Sequence, residues 1–211
     1  MSNKTIVYYS SNREPWETEK KVIETIKENS NGLPVISVTQ KPIDFGKNIC
    51  IGEKISNYHN CYRQLLLACM MAETEYVISC EADCLYPPEY FQYEPDGKHD
   101  LYRYMNIWIL AIYDNKYRKK RFTEGGQISN RKYLIDRIDE RMSDLPMWDS
   151  DNKISKIYKH AVFGEFTGET PIISLKTGHG VNLKTGTLKD RTYELPHWGN
   201  SNEVKKMMHL I

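Results

Sequence analysis

The 211-residue chain predicts an α/β fold, with a parallel strand–helix–strand N-terminal half followed by a mixed sheet flanked by helices. Three observations carry that expectation. A β-branched and aromatic run at 5–9 (TIVYY) passes through the polar loop Ser10-Ser11-Asn12-Arg13 into a helical pattern, then into a second apolar run at 33–38 (LPVISV). Such a unit starts a parallel sheet with a right-handed crossover. A third run, 75–80 (EYVISC), ends directly in two acids, and beyond residue 100 aromatic and β-branched residues crowd together in a way that suits mixed or antiparallel pairing.

Each element has its own signal. Pro15 suits the first turn of a helix, Trp16, Val22, Ile23 and Ile26 recur at helical spacing, and Asn29, Asn31 and Gly32 stop it. Ser56 is a plausible N-cap for a second helix, in which Cys61, Leu65 and Cys69 lie beside Leu66 and Met70; the wide apolar face predicts burial. The stretch 101–113 supplies one long strand or two short ones, and Ile135, Ile138 and Met142 mark a third helix. A surface loop at 149–152 and a final strand at 170–175 follow, and the remainder, with Gly178-His179-Gly180 and Pro196-His197-Trp198-Gly199, reads as irregular. No repeat, low-complexity segment or linker interrupts the chain, so one domain spanning 1–211 is expected.

Twenty-nine basic against 28 acidic side chains leave a net charge of +1, which excludes binding of polyanions through the overall field. Any nucleic-acid contact must come from a local patch. No stretch approaches the roughly 18 apolar residues of a membrane span, and the N-terminus runs into a strand without a signal-peptide pattern, so a cytoplasmic protein is expected. Five scattered cysteines suit a reducing compartment, and they read as buried, inert thiols. Cys80 and Cys84 bracket acids but lack the second cysteine pair of a zinc site.

Glu81 and Asp83 are separated by one residue, so on a strand their side chains share a face and can converge on one cation. Two hard carboxylates suit Mg²⁺ or Mn²⁺. A bare acid-x-acid triplet is usually a solvated loop, but this one follows an apolar strand, where open parallel sheets bind their ligands. Among other acids, Glu124, beside Gly125-Gly126, and Glu165 are candidate bases. The run Lys116, Tyr117, Arg118, Lys119, Lys120, Arg121 and Phe122 interleaves cations with rings, as a groove for phosphates and bases would. It equally describes a basic hairpin tip that keeps an exposed edge soluble.

These residues resemble a family. Glu81-Ala82-Asp83 at a strand end resembles the D-x-D metal motif of GT-A glycosyltransferases, with Glu in place of the first Asp. More closely, the stretch from Tyr76 to Pro88 (YVISCEADCLYPP), then Tyr104-Met105-Asn106-Ile107-Trp108, then His179-Gly180-Val181-Asn182, is similar to the small GT-A enzymes of phages and bacteria. That group includes the TET-associated glycosyltransferases, which decorate 5-hydroxymethylcytosine in DNA. Many members carry His between the two acids, where this chain has Ala82. The resemblance implies a GT-A-like single domain with a Rossmann-like, nucleotide-sugar-binding half (1–100) and an acceptor-binding half (101–211), working in a bacterial or phage-infected cell.

It also implies ligands. A nucleotide-sugar, of UDP type, would touch Tyr9, Ser10, Ser11 and Arg13, with Mn²⁺ or Mg²⁺ bridging its diphosphate to Asp83 and Glu81. His179 would be a third metal ligand, with His197 as its competitor. Arg13 and Arg63 could pair with the diphosphate or be surface charges; Asn106 and Trp108 could form a sugar or base pocket, or Trp108 could simply pack in the core. The expected function is transfer of a sugar to a hydroxyl, with 5-hydroxymethylcytosine in DNA as favoured acceptor. The alternatives are a glycan or small-molecule acceptor, a nucleotidyltransferase, or a non-catalytic binding module. A nucleotidyltransferase normally has a Gly-rich loop after its first strand, and Ser10-Ser11-Asn12-Arg13 has no glycine.

Overall fold

The computed structural model describes residues 3–150, 154, 157–179 and 190–211. In chain order the elements are β1 (Lys4–Ser10), α1 (Trp16–Asn29), β2 (Val35–Thr39), β3 (Lys47–Cys50), α2 (Tyr58–Met71), β4 (Tyr76–Glu81), β5 (Cys84–Leu85), α3 (Pro88–Gln92), β6 (Leu101–Tyr104), β7 (Ile107–Ala111) and β8 (Tyr117–Lys120). A 3₁₀ turn, Glu124–Gly126, leads into β9 (Gln127–Asn130), then α4 (Arg131–Met142), β10 (Phe163–Phe166), β11 (Ile172–Lys176), β12 (Arg191–Thr192), β13 (Glu194–Leu195), β14 (Gly199–Asn200) and α5 (Ser201–Met207).

The main sheet has seven strands in the order β10-β6-β9-β4-β1-β2-β3. β4, β1, β2 and β3 run parallel, β9 is antiparallel to both β4 and β6, and β10 is parallel to β6. The central strand β1 is buried along its whole length, as a parallel strand covered on both faces must be. Its alternate side chains go to opposite layers: Ile6 and Tyr8 pack with Val22, Ile23 and Ile26 of α1. Val7 and Tyr9 pack with Leu65 and Leu66 of α2 and Leu134 and Ile138 of α4. A second sheet, β12-β8-β7-β11-β5, lies beyond this sandwich, and β13 pairs with β14.

The expected α/β plan is present, with instructive differences. The 101–113 stretch breaks at Met105 and Asn106 and feeds two sheets. Met105 N–H donates to Phe166 O (2.9 Å) while Asn106 O accepts from Ile172 N–H (2.9 Å), so the chain changes partner strands there. The α2 cap is Asn57, not Ser56, because the Asn57 side chain reaches the Asn60 amide (2.8 Å). The tail after 190 is not wholly irregular, since it holds three short strands and α5. The short strands β3 and β9 lack a long apolar run and were not legible. Cys69, Cys80 and Cys84 are buried free thiols as expected, but Cys50 is exposed on the edge strand β3. Among the described residues no helix is long and apolar enough to cross a membrane.

Candidate active site

The C-terminal ends of β1 and β4 open onto a cleft of about 510 Å³. One wall is the loop after β1. Ser10 Oγ accepts from Asn12 N–H (2.9 Å), and Asn12 takes a positive φ of 50°, which Asn tolerates better than most residues. Asn12 Oδ1 then accepts from Lys41 N–H (2.8 Å), and its amide donates to Glu19, which also receives the Tyr8 hydroxyl (2.8 Å). Gln64 of α2 donates to both Ser10 O (2.8 Å) and Val38 O (2.9 Å), tying the strand ends to the helix. The loop is thereby preset, and Tyr9, Ser10, Ser11, Arg13 and Glu14 all line the cleft.

The floor is acidic. Glu81, Asp83 and Cys84 present ligand atoms that all lie within 4.8 Å of one another. Burial and then the Asp83 charge raise the Glu81 carboxyl above its ordinary range, against which Lys176 and a hydrogen bond from Tyr9 (3.0 Å) pull it down. Lys176, the last residue of β11, sits with its ammonium 3.6 Å from Asp83. Burial would lower the Lys176 pKa, but the Asp83 and Glu81 charges more than offset it, so the ammonium stays charged. Two hard carboxylates brought together at a strand end and the turn after it fit Mn²⁺ or Mg²⁺. Cys84 is a poor fit for such an ion, because burial, followed by the Asp83 and Glu81 charges, holds its thiol protonated.

Glu124 stands across the cleft floor. Burial raises its pKa, and its Oε2 accepts from the Tyr62 hydroxyl (2.8 Å). The next residue explains the Gly-Gly pair. A Cβ on Gly125 would lie 2.5 Å from Glu81 Oε2, so the backbone of the Glu124 loop packs directly on the metal-motif carboxylate. Glu14, which sequence reasoning passed over, also faces this floor. Its pKa is pushed up to about 7, chiefly by burial and then the Asp83 charge, against the pull of a hydrogen bond from Thr177 (2.9 Å). No periodic pattern marks an acid in a loop; only the folded neighbourhood does.

The predicted site residues divide sharply. Tyr9, Ser10, Ser11, Arg13, Glu81, Asp83, Glu124, Lys120, Arg121 and His179 line one cleft. His179 is exposed there, and its backbone N–H reaches Thr177 Oγ1 (3.3 Å). The Gly180, Val181 and Asn182 of the resemblance lie outside the described residues. His197 is exposed away from the cleft lining, edge-on to Trp198.

The others are elsewhere. Arg63 is buried and donates to Met142 O (2.6 Å), Leu145 O (3.0 Å) and Pro146 O (3.2 Å), so its guanidinium is consumed in holding the end of α4. Glu165 is exposed on β10 at the far edge of the main sheet. Asn106 donates to Gly168 O and Glu169 O (both 3.1 Å) and accepts from Trp108 Nε1 (3.2 Å) and Lys119 Nζ (2.9 Å), a cluster outside the cleft lining. In the basic run, strand alternation separates what sequence order joins. Tyr117 is fully buried, so it cannot stack on a base, and Arg118 is paired with Asp114. Lys116 lies over the Tyr193 ring (4.5 Å), which leaves Lys120 and Arg121 at the cleft.

Comparison with known proteins gives the fold a context. No protein-family description matches the chain, and no curated protein is similar to it. Solved structures are. S. aureus TarS 1–349 in complex with UDP-GlcNAc superposes with a TM-score of 0.54 over 82% of this chain and 58% of that one, at 10% identity. The fold is GT-A-like. A mannosyltransferase from Pyrobaculum calidifontis, in complex with GDP-Man and Mn²⁺, gives 0.50 over 82% of this chain and 56% of that one, at 12% identity. The chain thus spans less than two thirds of either GT-A neighbour.

Proposed function

We propose that the cleft transfers a sugar from a nucleoside diphosphate donor to a hydroxyl. The observation that carries this reading is the convergence of Glu81 and Asp83 on one cleft at the ends of parallel strands, with Lys176 and Glu124 in the same floor. Donor complexes of two neighbours of the same fold support it. Tyr9, Ser10, Ser11 and Arg13 would hold the nucleotide, and Asp83 with Glu81 would hold Mn²⁺ or Mg²⁺, with His179 at their rim. The ion, when bound, supplies positive charge to the departing diphosphate. Lys176 adds a second, permanent charge beside Asp83, fixed in place before any ligand arrives.

Glu124 is the acceptor base in this reading. Its raised pKa strengthens it as a proton acceptor, and the Tyr62 hydroxyl fixes its orientation while leaving the other oxygen free for the acceptor hydroxyl. A positioned carboxylate of this kind suits inverting, single-displacement transfer. Glu165, away from the cleft, has no part. The acceptor we favour is 5-hydroxymethylcytosine in DNA, supported by Lys120 and Arg121 at the cleft and by the resemblance. A glycan or small molecule is the second reading, favoured by the near-neutral charge of the chain.

Mass spectrometry tests both. The chain is incubated with UDP- and GDP-sugars and Mn²⁺, against hydroxymethylated oligonucleotide and against simple glycans. A sugar-shifted oligonucleotide is expected. Shifted glycans alone would move the acceptor to the second reading, and no product with any pair, combined with no Mn²⁺-dependent binding of UDP or GDP, would end the transferase reading.

A further inference from the structure

We propose that Arg103, together with Arg121, forms an anion site that receives a phosphate group of the acceptor beside Glu124. This rests on the transferase reading only for the word acceptor; the anion site itself stands on its own geometry. Arg103 lies on β6, and its guanidinium sits over the ring of Phe163 (3.8 Å to the centroid) on one side and of Phe122 (4.2 Å) on the other. Such a sandwich fixes the plane of the guanidinium without using its hydrogen-bond donors, which lie in that plane.

Those donors are idle. Nε is buried without a partner, and among the described residues the Arg103 side chain makes no hydrogen bond or ion pair. An unpartnered buried Nε is shared by Arg63 and Arg141, but the Arg63 Nη2 has three carbonyl partners, and the buried Lys205 binds Ile112 O and Asn115 Oδ1. Glu165 is the register neighbour of Arg103 across β10, yet the two do not approach to ion-pair distance. A half-buried, oriented and unsatisfied guanidinium is a site awaiting an anion.

Its surroundings select the anion. Arg121 is near enough for its charge to act on Arg103, and Arg121, Lys120 and Phe122 are on the cleft wall. The planar guanidinium fork, with the Arg121 charge near it, suits the tetrahedral oxygens of a phosphate, in either a diester backbone or a phosphorylated small molecule. Arg103 faces the ring of Phe122, which lines the same cleft as Glu124, and its charge pulls the Glu124 pKa down. A phosphate held by Arg103 would set the attached acceptor next to the base.

The test uses the full chain with two probes: a fluorescein-labelled single-stranded oligonucleotide read by anisotropy, and glycerol 3-phosphate read by NMR shift perturbation. Arg103→Met keeps an unbranched stem between the two rings and Arg103→Lys keeps the charge without the fork. Binding of at least one probe is expected to weaken about 10- to 100-fold in Arg103→Met, as loss of a charge-assisted hydrogen bond implies. A smaller loss is expected in Arg103→Lys. UDP binding with Mn²⁺ should be unchanged in both variants, which also shows that they fold. Loss confined to the oligonucleotide assigns the site to a nucleic-acid backbone; loss with glycerol 3-phosphate assigns it to a small phosphorylated acceptor. If neither probe binds the wild type, or both bind Arg103→Met equally well, the anion site is wrong. Failure of UDP to bind the wild type would instead count against the donor site.

Discussion

Glu124 and Gln at that position differ by one ionisable oxygen, and that difference isolates the proposed base. Glu124→Gln keeps a carbonyl to accept the Tyr62 hydroxyl, so the fold and donor binding should persist while kcat falls about 10²- to 10⁴-fold. Steady-state kinetics beside a UDP titration check it. Glu14 contributes to the pH response alongside the raised Glu81 and Glu124, because its folded pKa of about 7 exceeds its ordinary 4.5. The folded state therefore binds more protons than the unfolded state between those values, and stability falls as pH rises through that window. Because Glu14 is partly solvated, the effect is modest. The Tm of the metal-free chain should drop by about 2–4 °C from pH 5 to pH 8 on its account, and Glu14→Gln should flatten the slope by that amount. An unchanged slope in the variant would remove Glu14 as a cause.

At the scale of elements, two segments hold the site in place. The Glu124–Gly126 turn lies against Glu81, where an added Cβ at Gly125 would fall 2.5 Å from the carboxylate. Gly125→Ala should therefore displace Glu81 and weaken Mn²⁺ binding by about 10- to 100-fold, the scale of losses when support around a metal ligand is altered. Calorimetric Mn²⁺ titration in the presence of UDP reads this. Opposite it, the start of α2 grips the chain after α4. Arg63 binds three carbonyls there, His59 pairs with Pro146 O (2.9 Å), and Asn60 donates to Asp149 (2.6 Å). Arg63→Met leaves those carbonyls without a charged donor, at a cost of about 2–3 kcal/mol, or a Tm lower by about 4–12 °C. UDP affinity in that variant should be unaltered, and a matching loss of UDP affinity would return Arg63 to the donor site.

For the whole molecule, charge sets how it meets a polyanion. With a net charge of +1 the overall field is weak, so nucleic-acid binding must depend on the few cations at the cleft. If Arg103 and Arg121 together neutralise one phosphate and Lys120 a second, log K for a single strand against log salt has a slope of about −1.4. Anisotropy titrations between 50 and 200 mM salt (about the range over which such slopes are read) measure it. A much steeper slope would require contacts well beyond this cleft, including the outer part of the 116–121 run.

What the sequence by itself determined was the parallel half and its acidic strand end. β1, β2 and β4 are runs rich in β-branched and aromatic residues because both faces are covered, and the place of Glu81 and Asp83 at a strand end is legible in the order of residues, whereas their convergence is made by the Ala82–Asp83 turn between β4 and β5. Local rules suffice for such features. Only the tertiary structure decided the rest. It spent the Arg63 guanidinium on backbone carbonyls, buried Tyr117 within an otherwise basic strand, sent Glu165 to a sheet edge, and brought Glu14, Lys176 and Arg103 to or beside the cleft. Charged side chains carry no periodicity that announces their partners. Their roles depend on which carbonyl, carboxylate or ring another part of the chain brings within a few ångströms, and that is a property of packing between elements distant in sequence.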